Sequence, residues 1–271
     1  MEGEGVRAHK AFRELGKSLK SLPSDPAPKD VHKLRTATRR VEAIASALPT
    51  DRKKTQRLLK SIAMVRKAAG SVRDMDVLAA NACKLARYAS GDSLTRLIEF
   101  LECARQQNAG ELCDTLHRQR KSARGELKDY ARRVKAALND ASTNGQNGQP
   151  HEELHTMAVN VVRELGEWPL LDTSNIHEFR LKVKELRYIL QLYSAPESEL
   201  VQSLWNVQRH IGDWHDWQQL SEIAHEVLRL ERDLPLLARI DQTAKRKFDL
   251  ALKAANSLRG KYLTVPIVMG A

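Results

Sequence analysis

Histidine and arginine recur at one helical phase in two stretches of this chain. In 31–48, VHKLRTATRRVEAIASAL, His32, Arg35 and Arg39 are spaced by three and four positions; in 176–193, IHEFRLKVKELRYILQLY, His177, Arg180 and Lys184 repeat that spacing. At about 100° per residue such offsets return a side chain to nearly the same face of a helix. Each stretch therefore carries one stripe of cations, with Arg40 beside the first and Arg187 continuing the second. Guanidinium groups are permanently charged and planar and donate two parallel hydrogen bonds to a pair of oxygens. Lysine adds a mobile point charge. The chemistry such a stripe suits is the holding of phosphate oxygens. A basic stripe on a single helix is ordinarily a solvated face, but solvation alone does not require the same histidine at the same phase of two helices.

The elements that must carry these residues follow from the apolar positions. Leu34, Val41, Ile44, Ala45 and Leu48 fall opposite the first stripe, and Phe179, Val183, Leu186, Ile189, Leu190 and Tyr193 opposite the second, the pattern of helices that bury one side. A second echo strengthens the pairing. GSVRDMDVL at 70–78 returns as GDWHDWQQL at 212–220, so Gly70 aligns with Gly212, Asp74 with Asp216 and Leu78 with Leu220.

These residues resemble the CHAD domains, the conserved-histidine α-helical domains. Their halves carry H-x-x-R-x-x-x-R-R and then H-x-x-R-x-x-x-K-x-L-R-Y, with an R-D-x-D-V segment after the first. The matches here are His32, Arg35, Arg39 and Arg40; His177, Arg180, Lys184, Leu186, Arg187 and Tyr188; and Arg73, Asp74, Asp76 and Val77. The resemblance spans residues 7–258. It implies an all-α fold of two pseudo-repeated antiparallel helical bundles, each of about four or more helices, around a basic central groove or pore. It further implies that this groove binds inorganic polyphosphate without catalysis, through His32, Arg35, Arg39, Arg40, Arg73, His177, Arg180, Lys184 and Arg187. Glu42 and Glu185 depart from the pattern, because each puts an acid where the family commonly has a basic residue.

Composition points the same way. A net charge of +11 and a pI near 9.7 imply an anionic partner, whether nucleic acid, a phosphate polymer or an acidic surface. Aromatic content of only 5% disfavours rows of stacking platforms for single-stranded bases. RNA or DNA binding by a helical protein is the alternative reading. The four tryptophans, Trp168, Trp205, Trp214 and Trp217, are expected in the core. Cys83, Cys103 and Cys113 lack paired metal-site spacing and read as reduced, buried thiols. No apolar run reaches the roughly twenty residues of a membrane span and no signal-peptide core opens the chain. The expectation is a cytoplasmic protein that meets polyphosphate, free or in granules, and no membrane.

Along the chain, a helix is expected over 6–22, ended by Pro23, Pro26 and Pro28. The first motif helix follows from about 29 to Pro49. A third helix starts at a Thr50 or Asp51 cap, with Gly70 ending or interrupting it, and a further one spans about 72–89. A long helical region from Asp92 or Ser93 to about 138 is expected to break near Gly110. The run DASTNGQNGQP gives a linker over 140–151, dividing a first bundle over 1–139 from a second over 152–260, with a tail over 261–271. The second half is read as a helix over 152–167, a turn at Pro169, the second motif helix ended by Pro196, two helices meeting near Gly212, and a last helix opened by Pro235.

Other chemistry is weaker. Related chains can carry a triphosphatase domain with E-x-E-x-K, but Val6 stands where lysine would follow Glu2 and Glu4. Asp74, Asp76, Asp213 and Asp216 read as capping or arginine-pairing residues rather than metal ligands. His151 and His155 have zinc-like spacing but no third ligand, and His210 with His215 is no stronger. A phosphohistidine relay is disfavoured, since histidine in a basic stripe resembles an anion donor more than a nucleophile. No catalytic residue, metal or cofactor is expected.

Overall fold

The computed structural model describes residues 2–47, 51–87, 91–144, 149–192 and 198–263, and among them it contains eight α-helices and no strand. The chain divides into two compact units, Met1–Gly145 and Gln146–Ala271.

The first unit holds α1 (Glu2–Ser21), α2 (Pro28–Ala47), α3 (Arg52–Lys84) and α4 (Asp92–Asn144). Helix α1 stops before the proline-rich segment. Pro28 then opens α2, where its missing N–H is no loss because first-turn donors have no partner within the helix. Asp51 caps α3 by accepting from the N–H groups of Lys53 and Lys54 at 3.0 and 3.3 Å. Those bonds hold its carboxyl below the usual range. Helix α2 packs between α1 and α3, and α4 lies along α3 and α1. Leu15, Leu19, Leu34, Val41, Leu58, Ile62, Leu112 and Leu116 fill the interior. Tyr130 meets Phe12 edge-on at 5.7 Å.

The second unit holds α5 (Gln149–Gly166), α6 (Ile176–Leu192), α7 (Glu199–Val227) and α8 (Leu234–Leu258). Before α6, the Asp172 carboxylate accepts from the Ser174 hydroxyl and N–H and from the Asn175 N–H. The Ser174 bonds depress its pKa, and the turn they make sets the phase at which α6 begins. Ser198 caps α7, and a proline sits in the first turn of α8. Leu165, Phe179, Val183, Leu186, Leu204, Ile211 and Leu258 form the core, with Trp168 edge-on to Phe179 at 5.6 Å.

Several sequence expectations need correction. Helix α3 runs through Gly70, α7 through Gly212 and α4 through Gly110, so none of the three glycines ends a helix. The helices on either side also extend into the expected linker, to Asn144 and from Gln149, and 145–148 lie outside the described residues. So do Leu48, Pro49, Thr50, Tyr193 and Pro196, and the part of the tail beyond Leu263. Trp214 and Trp217 are buried, whereas Trp205 is 47% exposed and carries the Arg209 guanidinium over its ring at 5.2 Å. Cys83 and Cys103 are exposed rather than buried, and Cys113 is half-buried. The Cys113 thiol donates to the Ser24 carbonyl oxygen at 3.2 Å, a polar contact on a helix flank, whereas leucines at neighbouring positions supply the interior.

Candidate functional site

In the first unit, Leu34, Val41 and Ala45 of α2 are fully buried, which turns the opposite face of the helix outward. His32 is exposed there, and Arg35 and Arg39 are half-buried. The Arg35 guanidinium reaches the surface of α3 at Gly70. A methyl group at that glycine would stand 3.8 Å from Nη1. The Glu42–Arg66 pair, nearer the end of α2 and the start of α3, shows that these helices run antiparallel. One turn earlier on α2 and one turn later on α3, the same register brings His32 level with Arg73.

The second unit repeats this contact. Phe179, Val183 and Leu186 bury one face of α6, His177 is exposed on the other, and Arg180 lies across α7 at Gly212. Here the approach is closer. A methyl group at Gly212 would meet Nη2 at 3.2 Å, Cζ at 3.7 Å and Nε at 3.9 Å, and Nε donates to the Gln208 carbonyl oxygen at 3.2 Å. One turn on, the rings of His177 and His215 stand 5.4 Å apart between centroids and are inclined at 50°. Lys184 and Arg187 both approach the Tyr188 ring, at 5.6 and 4.7 Å from its centroid. The ring's quadrupole attracts each cation.

Each glycine is thus a bearing surface for an arginine. At Gly212, with no Cβ on the facing helix, the Arg180 guanidinium lies close to the backbone and is held by the Gln208 carbonyl, whereas at Gly70 the approach of Arg35 is looser. Such preorganisation reduces the entropy a cation loses when it engages an oxyanion.

The remaining expected residues take different places. Arg40 is drawn to α1, where Nη1 donates to Glu14 Oε2 at 2.9 Å. Arg73 is half-buried on α3. The two acids that break the basic pattern each face a base. Glu42 accepts from Arg66 at 2.7 Å, and Glu185 stands 3.3 Å from Lys182, whose ammonium also meets Glu164 at 2.7 Å. The Glu164 bond leads the causes that raise the pKa of Lys182. Both acids are therefore compensated locally instead of opposing the stripes.

Asp76 belongs to the framework. Its side chain is 3% exposed and accepts from Arg105 Nε at 2.7 Å, while the same guanidinium donates to the Pro26 carbonyl oxygen at 2.6 Å. One arginine thereby ties α3 and α4 to the segment that launches α2. Asp213 pairs with Lys247 of α8 at 3.2 Å. Near it, His210 has its pKa lowered, first by burial and then by Arg209 and Lys247, against an opposing pull from Asp213. His155 is exposed, and the side chain of His151 lies outside the described residues. Among the described residues no group of three or more histidines, cysteines or carboxylates is placed to hold a metal ion, and no helix is long and apolar enough to cross a membrane.

His215 and the two glycines were missed as site residues, although the signal was present. His215 aligns with Arg73 in the GSVRD and GDWHD echo, and the glycines recur at the same step. Read by local propensity, they looked like helix ends. The family model described as CHAD domain matches residues 7–225, which takes in both motif helices and both glycines and stops within α7. No curated protein and no solved structure matches the chain.

Proposed function

Because the chain belongs to the CHAD domain family, we propose that it binds inorganic polyphosphate through the two basic stripes, without a catalytic step. The carrying observation is the repeated placement of an arginine over a helical glycine, Arg35 on Gly70 and Arg180 on Gly212, each with a histidine one turn away. Two like-built cationic surfaces fit a ligand that is itself a repeat. A linear polyphosphate presents the same oxyanion at every step and has no bases to read, so charge and hydrogen-bond donors suffice for recognition.

In this reading His32, Arg35, Arg39 and Arg73 serve the first half, and His177, Arg180, Lys184 and Arg187 the second. Arg40 contributes charge at the margin, shared with Glu14. Each stripe engages phosphates of the polymer. The protein works in the cytoplasm on free polyphosphate or on polyphosphate granules.

The test is competition on the full chain between polyphosphates of graded length and single-stranded RNA. Polyphosphate is expected to displace RNA at far lower phosphate concentration than RNA displaces polyphosphate. Equal competition per phosphate would overturn the reading in favour of a general nucleic-acid binder, and no binding of either near physiological salt would overturn anion binding altogether.

A further inference from the structure

The two halves of the candidate site differ at one position that faces the motif histidine. In the second unit that position is His215, with its ring 5.4 Å from His177. In the first unit the residue aligned with it is Arg73, level with His32 across α2 and α3. Arginine is charged at every accessible pH, whereas histidine changes charge within the physiological range. We infer that His215 is a polyphosphate-binding residue and that its pairing with His177 makes the second half of the site proton-dependent, while Arg73 keeps a permanent charge in the first. This inference rests on the polyphosphate reading above.

The geometry favours a ligand-linked proton. At this separation a charge on both rings is opposed by electrostatic repulsion unless an anion lies against them. An oxyanion seated against both protonated rings accepts a charge-assisted hydrogen bond from each. The surrounding charges add to the effect. Arg180 of α6 lies over Gly212, one turn from His215, and brings a permanent positive charge to the same patch. On α7, Asp216 follows His215 directly. Asp213 is held by Lys247 of α8 at 3.2 Å, and His210 stands one turn before Asp213. On α5, the other helix packed on α6, Glu164 is engaged by Lys182. A polyanion arriving here meets a cationic patch that gains charge by taking up protons. His215 also packs beside Trp214, whose ring is 6.5 Å away and itself buried. The imidazole is therefore carried on a residue pair anchored in the core.

Thermodynamic linkage fixes the sign. Each proton taken up on binding strengthens affinity by about tenfold per pH unit as pH falls. The experiment is a titration of the full chain with medium-chain inorganic polyphosphate at about pH 8 and about pH 6, the span over which histidine titrates. Calorimetry in two buffers of different ionisation enthalpy counts the protons. The polymer's terminal phosphates titrate in the same range, so differences between variants are what is read. His215→Arg is expected to raise affinity several-fold at about pH 8 and to remove about one proton from the uptake. His215→Gln should remove the same proton while weakening binding at about pH 6. Arg73→His should do the reverse of His215→Arg, weakening binding at about pH 8 and steepening the pH dependence. Wild-type proton counts in both His215 variants would overturn the inference while leaving polyphosphate binding intact. A wild-type chain that binds no polyphosphate at either pH would overturn both.

Discussion

An arginine laid over a glycine is a trade between helix propensity and placement of charge. Glycine in a helix interior is worse than alanine by about 1 kcal/mol, so a substitution that adds only a methyl group should stabilise the helix wherever there is room. At Gly70 the nearest atom would be 3.8 Å away, an ordinary contact, and Gly70→Ala is expected to gain most of that increment with little change in binding. At Gly212 the methyl would press on Arg180 Nη2 at 3.2 Å. The tip of a long side chain can move a few tenths of an ångström, but doing so disturbs its bond to the Gln208 carbonyl. Gly212→Ala should therefore gain less stability than Gly70→Ala and lose polyphosphate affinity several-fold, as read by chemical denaturation and by titration. Equal behaviour of the two variants would show that the close approach has no role. His210 gives a second residue-scale expectation. Its folded pKa lies below the ordinary value of 6.5 because burial, Arg209 and Lys247 oppose its charge. The unfolded chain then binds the extra proton, and the stability that neutral His210 contributes is present above about 6.5 and lost as pH falls toward the lower folded value. Denaturation midpoints of wild type and His210→Gln should converge with the wild type's loss removed across that window; parallel profiles would contradict the assignment.

At the scale of elements, periodicity made the buried faces of α1, α2, α3 and α6 readable in advance, because burying one side of a helix imposes a 3.6-residue pattern that a single sequence displays. Leu34, Val41, Phe179 and Val183 all lie where that pattern puts them. Helix continuity was not readable by the same means. Gly70, Gly110 and Gly212 look like stop signals, since the local penalty is visible in the sequence while the packing that outweighs it comes from other helices. Gly212 is explained by the arginine that crosses it, whereas an added methyl would fit beside Arg35 at Gly70 and nothing in the structure explains Gly110. The Asp76–Arg105 pair was likewise hidden, because its partners lie 29 positions apart. It links α3, α4 and the Pro26 carbonyl that precedes α2. Removing Asp76 leaves the largely buried Arg105, among the described residues, with only the exposed Asp25 carboxylate at 3.8 Å, so Asp76→Ala should destabilise the chain by about 3 kcal/mol. Asp76→Ala combined with Arg105→Ala should cost less than the sum of the two single changes. A strictly additive pair in denaturant melts would remove this network from the account of how α2 is positioned.

For the whole molecule, the excess of eleven positive charges and the repeat of the histidine motif were evident from composition and spacing. They point by themselves to an anion held by helices. What the spacing could not reveal was that the two halves present their cations by the same device, a guanidinium across a glycine, because that depends on which helix lies opposite. If one polymer touches both stripes, the second contact is intramolecular, and linkage of two modest sites can add roughly 10²–10⁴ in affinity. Chain length then separates this arrangement from two unrelated sites. Arg35→Glu and Arg180→Glu, each alone, should abolish the advantage of long polyphosphate over short, and the double variant should bind neither. Far-ultraviolet circular dichroism should be unchanged in all three, since both side chains border polar faces. Affinity for the long polymer should also fall steeply with rising salt in the wild type, by analogy with counterion release from nucleic acids, and less steeply in each single variant. If long chains keep their full advantage in both single variants, the stripes act independently and the repeat of the motif has another explanation.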